Sequence, residues 1–220
     1  MPGTASINAR GGNSCYQPEG TKDRAMHYAH YAEYCKLKPE INSKNIRDGV
    51  GTESLDLAGR QWEIFATHIE AISIALDRWL TALQGEWSGP AAQRMIETVE
   101  QSRQWLDRFV IHLRSTGDAT ERISRAYATA YDAMVPMTQI EENRREWAQA
   151  AKMAAVDSAA AHRVQQLDEQ YEEFCATDVT AMTSYDNVVY EALASLPSWE
   201  PPPAAGDMAL PVGWRLPTAR

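Results

Sequence analysis

No run of about 18 or more apolar residues occurs in the chain, so the sequence offers no transmembrane helix. Its opening stretch, Met1 to Gly20, is polar and glycine-rich without an apolar core, which argues against a cleaved secretory signal. Export, if it occurs, must read some other feature. Cysteine is scarce: Cys15, Cys35 and Cys175 are odd in number and unrelated in spacing, so free thiols are expected rather than a disulfide framework. Positive charge is in deficit, with 21 Lys and Arg against 30 Asp and Glu and a net charge of -9. Residues 141–195 alone carry 11 acidic and 4 basic side chains. Phosphate binding needs the opposite sign, so no nucleic-acid partner and no direct insertion into an anionic membrane is expected.

Catalytic signatures are missing too. There is no Gly-x-Ser-x-Gly, no phosphate-binding loop and no His-Glu-x-x-His, so neither enzyme activity nor a cofactor is expected. Weaker fragments fail on inspection. His27-x-x-His30 with Cys35 lacks a fourth ligand, and Gly49-Val50-Gly51 before Ser54 lacks its third glycine and a preceding strand. Glu141, Glu142 and Glu146, and later Glu169, Glu172 and Glu173, have no histidine three residues on. They read as solvated faces, not as a metal site.

What the chain does have is helical periodicity. Residues 1–24 offer little to bury and read as a disordered extension. A helix is plausible from Asp23 to Cys35, and Lys38-Pro39-Glu40-Ile41-Asn42-Ser43 is expected to break it. From about Thr52, Trp62, Phe65, Ile69, Ile72, Leu76, Trp79 and Leu83 recur at alternating steps of three and four, a stripe that only a helix produces. Gly85 is the expected left-handed stop. Ser88 or Gly89 then caps a second helix with Pro90 in its first turn. The second stripe runs through Met95, Val99, Ser102, Leu106, Phe109, Leu113 and on to Met134 without slipping phase across Gly117. It predicts a helix of roughly 45 residues, about 65 Å long, ended by Pro136. Thr138 and Glu141 form a Thr-x-x-Glu capping box, Asp157 and Ser158 mark a further start, and Pro197 closes the helical region. The fold expected is all-α: an elongated antiparallel helical hairpin or bundle of about five helices, with a domain over 25–196 and a disordered proline-rich tail over 197–220. Trp87, lying in the turn between the two stripes, reads either as a cap on the hairpin core or as part of a recognition surface.

The ordered set Pro39-Glu40-Ile41-Asn42-Ser43, Trp87-Ser88-Gly89-Pro90-Ala91, Tyr131-x-x-x-Val135-Pro136 and Glu142-Asn143-Arg144 resembles the N-terminal domain of the mycobacterial PPE family, over about residues 38–195. Lys38 stands where the family has its first proline. The resemblance implies a substrate of type VII secretion, held in the cytoplasm before export and then secreted or placed at the cell surface. It implies a heterodimer with a PE protein, whose helices would cover Trp62, Phe65, Ile69, Ile72, Leu76, Trp79, Leu83, Met95, Val99, Leu106, Phe109 and Leu113. Trp87 and Gly89 would form one half of a two-chain export motif. The partner would supply Tyr-x-x-x-Asp/Glu, which this sequence does not contain. Pro39, Glu40, Asn42 and Ser43 carry the family's N-terminal motif. An EspG-type cytosolic chaperone would grip the tip near Met153 and Val156, where the family's Asn and Gly are absent, and the type VII secretion ATPase would act downstream.

Overall fold

A computed structural model of the chain describes residues 31–203. Every regular element among them is a helix, so the expected all-α class is the one adopted. The first residues, 31–36, are helical (α1). Five helices follow: α2 (Pro39–Arg47), α3 (Glu53–Glu86), α4 (Pro90–Ala133), α5 (Met137–Ala151) and α6 (Ser158–Ala194). No helix among the described residues is long and apolar enough to cross a membrane. The expectations for residues 1–24, for His27 and His30, and for residues 204–220 lie outside the described residues.

Several helix ends differ from those read in the sequence. Pro39 breaks the helix before it, as expected, but it also opens α2. Its fixed φ suits the first turn, Lys38 before it is extended (φ -71°, ψ 152°), and the Ile41 and Asn42 amides donate to the Lys38 carbonyl. Gly85 is not a left-handed stop. It stays inside α3, and the Trp87 amide still donates to the Leu83 carbonyl at 2.9 Å. The positive φ falls instead on Gly89, at 105°. Its carbonyl takes the first ladder bond of α4, from the Gln93 amide at 3.0 Å, so Gly89 and not Ser88 is the cap. The Thr138–Glu141 capping box does not form, because Pro136 occupies the N-cap and its carbonyl accepts from the Gln139 and Ile140 amides. Asp157 does cap α6, its Oδ1 accepting from the Ala159 amide at 2.9 Å. At 44 residues α4 is uninterrupted through Gly117, as its unbroken stripe predicts. Cys35 is disulfide-bonded and Cys175 free, so the expectation of free thiols fails at Cys35.

The chain forms two compact units. One comprises α3, the N-terminal part of α4 and residues 192–203. Within α3 the buried positions are Gly59, Ala66, Ser73 and Leu80, a strict seven-residue repeat dominated by small side chains. Ala66 packs with Val110 and Leu113 of α4, flanked by Ile69 and Phe109. Ser73 Oγ donates to the Asp107 carboxylate at 2.6 Å, which fixes the register of the two helices. Gly59 and Gly117 face each other; a Cβ at Gly117 would lie 3.5 Å from the Gly59 carbonyl oxygen. The seam between the long helices is therefore built from small residues, and the large ones are pushed to its flank.

The second unit holds residues 31–53 and 122–191, with a core of Ile46, Ala130, Met134 and Ala181 against Tyr127, Met182 and Tyr185. Here α2 clamps the break between α4 and α5. Ser43 Oγ donates to the Val135 carbonyl at 2.9 Å, and the Val135 amide donates to Asp178 Oδ1 of α6 at 2.9 Å. Both polar groups of a buried peptide are thereby satisfied by buried side chains. Arg47 lies over the Tyr131 ring, 4.6 Å from its centroid.

The seam yields an opposed pair of expectations. A methyl at Gly117 meets only ordinary contacts at 3.5 Å, so Gly117→Ala should stabilise the chain by up to about 1 kcal/mol through helix propensity. A leucine at Gly59, where even a Cβ lies 3.3 Å from Glu121 Cγ, should cost roughly 1–3 kcal/mol by overpacking. Thermal unfolding followed by circular dichroism should move in opposite directions for the two variants.

Candidate protein-interaction surface

The seam spacing decides where the large apolar side chains of α3 go. Trp62, Ile69, Leu76 and Leu83 lie next to the buried repeat, the last three half-buried and Trp62 37% exposed, whereas Phe65, Ile72 and Trp79 lie further round and are exposed. Phe65, Ile72 and Trp79 show 44%, 54% and 44% of their surface, unusually bare for residues of this size in one row. On α4, Met95 is exposed while Val99, Leu106 and Phe109 are half-buried. Phe109 meets Phe65 edge-on with ring centroids 6.0 Å apart, so the two stripes adjoin on one face. Leu113 differs: it is 1% exposed, enclosed by Ala66 and Val110 of its own chain. Trp87 stands exposed at the turn, immediately before Ser88 and the left-handed Gly89.

The residues of the N-terminal motif sit elsewhere and are occupied. Pro39 is buried; Glu40 accepts from the Tyr171 hydroxyl at 2.7 Å; Asn42 Nδ2 donates to the Tyr34 carbonyl at 3.1 Å; Ser43 holds Val135. The Glu142-Asn143-Arg144 element behaves alike. Buried Asn143 donates to the Leu167 carbonyl and to Gln170, and Arg144 stacks over Tyr171, 4.1 Å from its centroid. These motifs tie helices together within their unit, whereas Trp87 and the α3 stripe face outward within theirs. Met153 and Val156 occupy the α5–α6 turn, Val156 with 82% of its surface free. Among the described residues no group of three or more His, Cys, Asp or Glu converges as metal ligands would.

The PPE family model matches residues 33–197. The chain belongs to the PPE family. It is 31% identical to PPE family protein PPE41 of Mycobacterium tuberculosis over 190 residues, covering 84% of this chain and 92% of that protein. PPE family protein PPE57 of the same organism is 30% identical over 169 residues, 76% of this chain and 94% of that one. No enzymatic family is indicated. The PPE assignment thus covers both the clamp around Val135 and the exposed stripe.

Two features of this PPE domain escape a reading based on large apolar residues. One is the small-residue repeat at 59, 66, 73 and 80, which is visible as a seven-residue period only when Gly, Ala and Ser are counted as core. The other is Asp178, fully buried on α6 with Oδ2 lacking any hydrogen-bond partner; nothing in its local sequence marks it as interior. Burial raises its carboxyl to a pKa of about 6, against the pull of the Val135 amide and the Arg47 charge. The unfolded carboxyl titrates near 3.9, so between about pH 4 and 6 the folded chain holds the extra proton. Stability from this group is therefore greatest below pH 4 and is lost as pH rises through 6. Asp178→Asn should remove a slope worth roughly 2–3 kcal/mol over that window. Denaturant titrations of both proteins at pH 4.5, 5.5 and 7 check this.

Proposed function

We propose that this PPE protein is a non-enzymatic substrate of type VII secretion that works by pairing with a PE-like chain. The observation that supports the reading best is the exposed row Trp62, Phe65, Ile72 and Trp79 beside a seam already closed by small residues. Because the hairpin is sealed without them, these side chains remain available for another helix pair. Fully burying a side chain of this size is worth about 1.5–3 kcal/mol, and each is already partly covered, so the gain comes from the row acting together. The partner interface takes in Ile69, Leu76 and Leu83 of α3 and Met95, Val99, Leu106 and Phe109 of α4, while Leu113 supports it from within the core.

In this reading Trp87 and Gly89 serve the export motif in different ways. Gly89 supplies a backbone conformation that an L-residue adopts only with strain. Trp87 supplies the exposed ring beside which the partner's Tyr-x-x-x-Asp/Glu segment would lie. The α5–α6 turn, with Met153 and Val156, is the surface available to an EspG-type chaperone before export, and the secretion ATPase would act on the assembled pair. The destination is the cell surface or the medium.

Trp87→Ala is the informative change, because the ring is exposed and no backbone strain accompanies its loss. Stability should move by no more than about 0.5 kcal/mol, and helicity should be unchanged. Secretion of the variant from cells carrying a type VII system should nonetheless be abolished. Normal secretion of a well-folded Trp87→Ala protein would refute the export role of the turn, and parallel loss of folding and secretion would return Trp87 to the hairpin core.

A further inference from the structure

The sequence leads one to expect a structureless chain after Pro197, yet residues 197–200 are docked on α4. The Trp199 ring meets Phe109 edge-on with centroids 5.4 Å apart, and also meets Trp105 at 6.4 Å and His112 at 5.7 Å. Glu200 is held twice. Its carbonyl accepts from Trp105 Nε1 at 3.0 Å, and its carboxylate pairs with Arg108 Nε at 2.9 Å. Trp105, Arg108, Phe109 and His112 are spaced to share one side of a helix, so Trp199 and Glu200 engage a single α4 surface. Pro201, Pro202 and Pro203 follow at once and favour an extended chain without internal hydrogen bonds. Trp199 and Glu200 lie past the residues that the family model matches.

The position of this docked segment gives it a consequence. Phe109 is shared: it meets both Phe65 of the stripe and Trp199 of the tail in T-shaped pairs, and Trp105 stacks on it with centroids 5.1 Å apart. The α4 half of the stripe is thus covered at this level, while Phe65 on the α3 half is bare. The hold is specific but light. The Arg108–Glu200 pair is solvent-exposed, where ion pairs contribute little, Trp199 keeps 57% of its surface free, and the buried Nδ1 of neighbouring His112 has no hydrogen-bond partner.

We propose that residues 197–200 form a displaceable strap that covers the α4 flank of the stripe in the unpartnered chain and is removed when a helical partner buries Phe109. The identity of the displacing partner rests on the function proposed above; the cover itself does not. The strap lowers apparent partner affinity by the fraction of molecules in which it is docked.

Three full-length proteins test this: wild type, Trp199→Ala and Trp199→Phe. Trp199 lies beyond the end of α6, so helicity should be the same in all three. Binding of 8-anilinonaphthalene-1-sulfonate should rise about threefold or more in Trp199→Ala and return towards wild type in Trp199→Phe, which keeps a ring over Phe109. Affinity for a purified mycobacterial PE-family protein should be roughly three- to tenfold tighter for Trp199→Ala than for wild type. Unchanged dye binding overturns the cover. Equal or weaker affinity of Trp199→Ala for a PE protein that does bind overturns the displacement and makes Trp199 part of the interface instead. If the PE protein binds none of the three, the partner reading fails, and the strap stands or falls on the dye result and its rescue by phenylalanine.

Discussion

Close approach of α3 and α4 is the constraint from which the rest of their unit follows. Gly59, Ala66, Ser73 and Leu80 line one side of α3 and let its backbone come up to Gly117, Val110 and Leu113 of α4. Two helices that meet over small residues have no room between them for tryptophan or phenylalanine. Phe65, Ile72 and Trp79 are consequently displaced to one flank and Trp62 to the edge of the seam, where the described residues cover them only in part. Had the large residues formed the seam, the hairpin would satisfy itself and would have little reason to associate. The polar tie between Ser73 and Asp107 adds register, since sliding the helices by a turn would part the hydroxyl from its carboxylate.

A different constraint governs the unit that contains α2, α5 and α6. Ending α4 at Ala133 and restarting at Met137 leaves a short stretch of buried backbone between them. Peptide groups out of water must find partners, and Ser43 and Asp178 provide them for Val135. Asn42, Asn143 and Arg144 perform similar duties for neighbouring carbonyls. Family motifs thus divide by location: those around Pro39 and Asn143 keep helices in place, and those around Trp87 and Gly89 present an exposed turn.

Much of this was legible in the residues themselves. The phase of Trp62 through Leu83 and of Met95 through Leu113 required long helices, and the unbroken phase across Gly117 required α4 to be continuous. Boundaries were harder. Pro39 ends the helix before it and, as a preferred first residue, also opens the next, whereas Gly85 ends none. A glycine leaves the helix only where the backbone must turn left-handed, which here is Gly89. Thr138 lost its capping role because Pro136 already held that position. The stripe was found but its inner edge was not, because Gly, Ala and Ser carry no hydrophobic signal strong enough to announce a core. The resemblance implies Leu113 in the partner interface, but its period does not tell inside from outside, and the packing of Ala66 against it places it in the core. Trp199 gave no warning at all, since a tryptophan among prolines has no period to read.

The central claim is that the bare flank of the α3–α4 hairpin is completed by a second chain. The most direct measurement is the light-scattering mass of the full-length protein, alone and co-expressed with a PE-family protein. The account predicts self-association of the lone chain and a one-to-one heterodimer in the mixture. A lone chain that stays a stable monomer and leaves the PE protein unbound would contradict it.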